Sequence, residues 1–163
     1  MIAVRALTID DKIQAAALLA AFRSTLRSFK NRQVALDLEE GAEEFTFFLD
    51  EKYPMYGAFI EQVLIGYVVC KVEGSLVWIE QLFVSEAFRR QGGAAVLFEK
   101  ANQLSQSVGG ETLFQYVHPN NHEMLSFLRS QGYTVLNLIE VRKPYQGEQL
   151  TQTIYVDDEP FDY

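Results

Sequence analysis

LVWIEQLFVSEAFRRQGGAAVLFEKANQLSQS, running from Leu76 to Ser107, changes its hydrophobic period halfway along. Val77, Ile79, Leu82, Phe83 and Val84 are aliphatic or aromatic with no proline among them, which predicts a strand. Val96, Leu97, Ala101, Leu104 and Val108 then recur at near-helical spacing with Glu99, Lys100 and Gln103 between them, which predicts a helix. Joining the two is Arg89-Arg90-Gln91-Gly92-Gly93-Ala94. A glycine-bearing turn that opens straight into a helix presents unpaired backbone amides and the positive end of the helix dipole, a geometry suited to a phosphate. Neither a GxxxxGK[ST] loop nor GxGxxG after a strand is present, so the two commonest nucleotide loops are excluded.

Outward from that segment, the composition is that of an ordinary globular protein. The chain has 163 residues, 48% hydrophobic and 22% charged, enough for one well-cored domain over residues 1–163. Twelve Phe and eight Tyr argue against disorder. No apolar run approaches a membrane span, and Ile2 and Val4 open a strand rather than a secretory signal. The single cysteine, Cys70, allows no internal disulfide and no metal cluster, which fits a reducing cytoplasm. A formal charge of −8 disfavours nucleic acid as a partner and mildly favours cationic small molecules or basic peptides.

Before the central segment, Thr8-Ile9-Asp10-Asp11 sets a hydroxyl three residues ahead of a carboxylate, an approximate capping box. The helix it starts should reach about Leu26 on an Ile13, Ala17, Leu18, Phe22, Leu26 stripe. Arg23, Arg27, Lys30 and Arg32 form a basic patch at its end, which reads first as a solvated face and second as a contact for cofactor phosphates or an acidic substrate. A second helix is expected over Glu39 to Glu51, burying Phe45, Phe48 and Leu49. Tyr56–Ile60, Leu64–Val72 and Leu76–Val84 follow as strands joined by short hairpin connections, with Cys70 a buried small residue of the middle one. After Gly109-Gly110, Leu113–Val117 is a strand, a helix carries Met124, Leu125 and Leu128, and Val135–Val141 and Thr151–Val156 are further strands. Asp157 to Tyr163 reads as an acidic, mobile tail.

Leu82-x-Val84 followed by Arg89-x-x-Gly92-x-Ala94 resembles the acetyl-CoA-binding motif of the GNAT N-acetyltransferase superfamily. Downstream, Val117, Asn121, Met124, Leu125, Phe127, Leu128, Gly132 and Tyr133 spell V-x-x-x-N-x-x-M-L-x-F-L-x-x-x-G-Y, which resembles that family's N-x-x-A-x-x-F-Y-x-x-x-G-F block. The resemblance implies an α+β fold, an α/β/α sandwich. Its mixed, mainly antiparallel sheet would have six to seven strands, with the parallel fourth and fifth splayed apart, and about four helices. It implies acetyl-CoA as co-substrate and direct transfer of its acetyl group to a primary amine, on a small molecule or a protein, with no metal.

On that resemblance, backbone groups of Leu82, Phe83 and Val84 would pair with the pantetheine arm. The amides from Arg90 through Ala95, beginning just after Arg89 and including those of Gln91, Gly92, Gly93 and Ala94, would hold the diphosphate. Asn121 matches a position whose side chain bonds the pantetheine or nearby backbone. Trp78-Ile79-Glu80-Gln81-Leu82-Phe83-Val84 resembles the Glu-Asp-Leu-Tyr-Val strand of the family's polyamine acetyltransferases, so Glu80 is the candidate base, ahead of His118 and Tyr116. Leu128 stands where the family often has a tyrosine proposed as the acid toward the thiolate. That departure keeps a second reading in view, a non-catalytic acyl-CoA-binding sensor or interaction domain. Homodimers are common in proteins of this type, and a strand such as Thr151–Val156 could pair across a two-fold axis.

Overall fold

β1 (Ile2–Ala6), β2 (Met55–Ile60), β3 (Val63–Glu73), β4 (Leu76–Val84) and β5 (Leu113–Gln115) form one sheet in that order. The first four strands are antiparallel neighbours and β5 runs parallel to β4. Left-handed residues turn both hairpins, Glu61 with φ 55° between β2 and β3 and Gly74 with φ 63° between β3 and β4. These features come from a computed structural model that describes residues Met1–Tyr163.

The chain divides into two units, Met1–Ser126 and Phe127–Tyr163. In the first, α1 (Lys12–Ser28) and α2 (Leu38–Asp50) share a core with one face of the sheet, where Leu18, Leu19, Phe45 and Phe48 meet Tyr67, Val69 and Phe83. Because successive strand residues point to opposite faces, Val68, Leu82 and Val84 face the other side. There α3 (Gly93–Ser107) buries Leu97, Phe98 and Ala101, and its Gly93 lies against Ile65 and Val84. The result is a three-layer α+β fold of the expected kind. α4 (His122–Ser130) continues across the boundary of the two units.

The expected stripe of α1 is rotated. Ile13 is 88% exposed and Ala17 also faces solvent, while Ala15, Leu18, Leu19 and Phe22 turn inward. Spacing of i, i+3, i+4 and i+7 from Ala15 sets this face, and the small Ala15 and Ala16 let the helix lie close to its neighbour. Closest approach is at Gly41 of α2, where a Cβ would fall 2.2 Å from the carbonyl oxygen of Ala16. At the start of α1 the carboxylate half of the capping box forms, with Asp11 Oδ2 accepting from the Thr8 amide at 2.9 Å. Arg5 adds bonds of 2.7 and 2.8 Å to the same carboxylate.

Two expectations fail toward the C-terminus. Val135–Val141 forms no strand, and Val135, Leu136 and Leu138 are exposed. Its order, Val-Leu-Asn-Leu-Ile-Glu-Val, puts apolar pairs side by side, so neither face is consistently apolar and the register is weakly specified. Residues Asp157 to Tyr163 are not a loose tail. β6 (Thr153–Val156) and β7 (Glu159–Asp162) pair antiparallel through Asp157-Asp158, with Asp157 left-handed at φ 54°. Asp tolerates that conformation better than most residues, so the turn is chemically ordinary. The strands thus number seven, divided five and two between separate sheets.

Candidate active site

The parallel ladder between β4 and β5 holds only three register pairs, Val77 with Leu113, Trp78 with Phe114 and Ile79 with Gln115. Beyond Ile79, β4 continues to Val84 with β3 on one side and no ladder on the other. At the fork, Gln115 Oε1 is buried without a hydrogen-bond partner. An orphaned acceptor is costly in a closed core and fits a gap meant to receive a donor. Leu82, Phe83 and Val84 therefore lie on the open stretch, as the sequence led us to expect. One carbonyl there is engaged, because Arg89 Nε donates to Val84 O at 3.3 Å.

Past Val84 the chain makes a short 3-10 turn (Glu86–Phe88) and enters the Arg89–Ala94 loop. Arg90 and Gly92 are both left-handed, with φ of 63° and 90°. The helix start at Gly92 has no side-chain cap, and the amides of Gly93, Ala94 and Ala95 make no backbone hydrogen bond. No helix residue can satisfy these first-turn amides, so they remain available to an anion. Gly92 also has open space where a Cβ would stand. Arg89 is held by Glu123 at 3.0 Å and lies 5.9 Å from the Phe83 ring centroid, which fixes the guanidinium at the mouth of the loop. Asn121 is partly committed, since its Oδ1 accepts from the Met124 amide at 3.1 Å and caps α4.

Glu80 occupies a special backbone position. Val69 pairs with Gln81 and Cys70 with Ile79, leaving Glu80 as the supernumerary residue of a β-bulge. A bulge breaks the alternation and re-aims a side chain, and such features gather beside active sites. Glu80 is exposed, and its charge contributes to raising the Cys70 thiol. Burial is the larger cause there and pushes that thiol up to about 12, so Cys70 is an inert core residue.

Sequence reasoning passed over the neighbour of Glu80. Gln81 is buried on β4, accepts from the Tyr67 hydroxyl at 2.8 Å and donates from Nε2 to Glu44 of α2 at 2.8 Å. Glu44 in turn takes a two-pronged ion pair from Arg23 of α1. Desolvation first, and the Glu44 charge second, hold the Tyr67 hydroxyl well above its ordinary pKa of 10.0, so it stays a donor. The signal for this network was a second polar residue, Gln81, beside Glu80 in an otherwise apolar strand.

Of the two runners-up for the base, Tyr116 is 68% exposed and His118 is half-buried. The His118 ring lies 5.8 Å from that of Phe29, and desolvation followed by the charge of Lys30 lowers its pKa from 6.5. Asn120 Nδ2 donates to the Phe29 carbonyl at 3.3 Å, tying the segment after β5 to the end of α1. The basic patch of Arg23, Arg27, Lys30 and Arg32 comes together with Glu40 and His118 around a cavity of about 230 Å³.

A mixed sheet whose parallel strands part beside an uncapped helix start is the α+β architecture of the GNAT fold. The Acetyltransferase (GNAT) family matches residues 18–133, and the chain belongs to that family of acyltransferases. Among solved structures it is similar to the aminoglycoside N-acetyltransferase AAC(6')-Iy in complex with CoA, with a TM-score of 0.68 and 18% identity over 88% of this chain and 95% of that one. It is similar also to a ribosomal-protein-alanine N-acetyltransferase from Brucella melitensis biovar Abortus 2308, with a TM-score of 0.69 and 14% identity over 89% and 99%. A third is the PaiA N-acetyltransferase from Thermoplasma acidophilum in complex with coenzyme A, with a TM-score of 0.65 and 17% identity over 80% and 88%.

Proposed function

We propose that this protein transfers the acetyl group of acetyl-CoA directly to a primary amine. The observation that carries the reading is the early end of the β4–β5 ladder, at Ile79 and Gln115, beside the uncapped start of α3. Backbone groups along Leu82, Phe83 and Val84 that face away from β3 would bind the pantetheine as an added strand, and Gln115 Oε1 would be an acceptor for one of its amides. Amides from Arg90 through Ala95 would take the diphosphate, with Arg89 beside them and the Nδ2 of Asn121 as a further donor.

Acetyl-CoA supplies an activated acetyl group, and the protein's residues do the rest. An alkylamine arrives protonated, since its pKa is near about 10. Glu80, re-aimed by the bulge, would attract the ammonium and remove its proton directly or through water. A strand amide near Phe83 would stabilise the negative charge that develops on the acyl oxygen. Leu128 carries no proton to give, but a thiol with a pKa near about 8.5 can leave largely as the anion. The lone reduced Cys70 suits a cytoplasmic setting for this reaction.

Incubation with acetyl-CoA and a panel of amines (polyamines, amino acids, aminoglycosides, peptides), reading free CoA, tests the proposal. Release of thiol that depends on the amine is the expected result. Binding of acetyl-CoA with no release from any amine would favour the sensor or interaction domain that Leu128 suggests.

A further inference from the structure

The cavity at the end of α1 is positive in a protein whose formal charge is −8. Four cations meet there. Arg23 is paired with Glu44 and Arg27 with Glu40, whereas Lys30 and Arg32 form no ion pair. They are not side chains of a loose segment. The Lys30 amide bonds to Arg27 O at 3.1 Å, the Asn31 amide to Ser28 O at 3.0 Å and the Arg32 amide to Arg27 O at 3.1 Å. Asn31 is left-handed at φ 54°, so the chain reverses tightly and carries both cations back over the cavity. His118 closes another wall against Phe29, and its lowered pKa keeps it neutral near pH 7.

A hydrogen-bonded chain leads from the cavity to the residue beside the proposed base on β4. Arg23 lines the cavity and bonds Glu44, which accepts from Gln81, the residue next to Glu80. It lies on the sheet face covered by α1 and α2, whereas the phosphate loop begins α3, which packs on the opposite face. We infer that the cavity receives the anionic end of the acceptor, so that the substrate is an amine bearing a carboxylate or phosphate, its ammonium toward Glu80 and its anion on Lys30 and Arg32. This rests on the acetyl-transfer reading above. A purely cationic acceptor such as a polyamine would set its far charges against two unneutralised cations, which disfavours it. Net charge pointed the other way because it averages over the whole surface, whereas recognition depends on the field inside one cleft.

The test is calorimetric titration, with CoA present, of two matched pairs: O-phosphoethanolamine against ethanolamine, and L-lysine against cadaverine. Wild-type protein should bind the anion-bearing member of each pair at least about tenfold tighter. The double variant Lys30→Glu/Arg32→Glu should reverse that order while its affinity for acetyl-CoA stays within about twofold of wild type. Lys30→Gln/Arg32→Gln, in which the preference should vanish, serves if the first variant does not fold. Equal binding within both pairs, or tighter binding of the purely cationic members, overturns the inference. So does a tenfold loss of acetyl-CoA affinity in the variant, which would assign the cavity to the cofactor's own phosphates. If the preference holds but no amine releases CoA, the cavity is an anion site and it is the transfer reading that fails.

Discussion

The Tyr67 hydroxyl donates to Gln81 Oε1 at 2.8 Å, a bond between two buried side chains on neighbouring strands. It does more than join β3 to β4, because Gln81 passes the connection to Glu44 and so to Arg23. A polar chain therefore runs from the middle of the sheet to the cationic cavity. Tyr67→Phe should destabilise the fold by about 1–3 kcal/mol, since it strands a buried acceptor. Gln81→Leu should do at least as much damage, as it strands the Tyr67 hydroxyl and leaves Glu44 Oε1 with Arg23 alone. Urea unfolding measures both, and a Tyr67→Phe variant as stable as wild type would show that water replaces the hydroxyl.

Glu80→Gln keeps the shape of the bulged residue and removes its charge. On any amine that wild type acetylates, turnover should fall by about 100-fold or more. The KM for acetyl-CoA should stay within about twofold, because a carboxylate that handles the acceptor's proton makes no contact with the cofactor. Steady-state kinetics with the two substrates varied separately decides this, and undiminished turnover removes Glu80 from the mechanism.

Gly92 and Gly93 stand side by side yet answer to different constraints. Gly92 has φ of 90° and empty space around it, so Gly92→Ala suffers from backbone strain alone, about 1–2 kcal/mol. At Gly93 a new Cβ would sit 3.4 Å from Ile65 and 3.5 Å from Val84, ordinary contact in a helical position. Gly93→Ala should therefore melt at or above the wild-type temperature while binding acetyl-CoA more weakly, if the amides there hold a phosphate. Differential scanning calorimetry with and without acetyl-CoA separates the two effects.

Acid sensitivity should trace to Asp11. The Arg5 hydrogen bonds, ahead of the opposing burial and with help from the Thr8 amide, hold its carboxyl below the ordinary 3.8. A depressed folded pKa means that the stabilisation is fully present above the unfolded value and is lost as pH falls through the folded one. Asp11→Asn should thus be less stable than wild type at neutral pH, and the gap should close well below 3.8. Urea midpoints compared at the two ends of that range give the answer; a gap independent of pH would mean that packing, not charge, is at work.

What could be read beforehand followed from local chemistry. β4 was legible to the residue because a proline-free strand, apolar except at Glu80 and Gln81, ends shortly before the glycine-bearing loop. The β3–β4 hairpin, α3 and its bare start announced themselves through Gly74, Gly92 and Gly109-Gly110 in the same way. The Gln81–Glu44–Arg23 chain was not legible, because its members come from three elements and meet only once α1 and α2 dock on the sheet. The bulge at Glu80 was equally hidden: it is a difference in register between two strands, and neither strand alone records it. Ile13 misled for a related reason, since an apolar residue on a helix does not say which side the partner will occupy.

Gly41 sets how closely the first two helices can pack. With only a hydrogen at position 41 facing the Ala16 carbonyl, α1 and α2 lie backbone to backbone, and any larger residue there would force them apart. On the acceptor-site inference above, selectivity would be retuned by exchanging side chains along the rim, at places such as Lys30 and Arg32, while position 41 stays glycine.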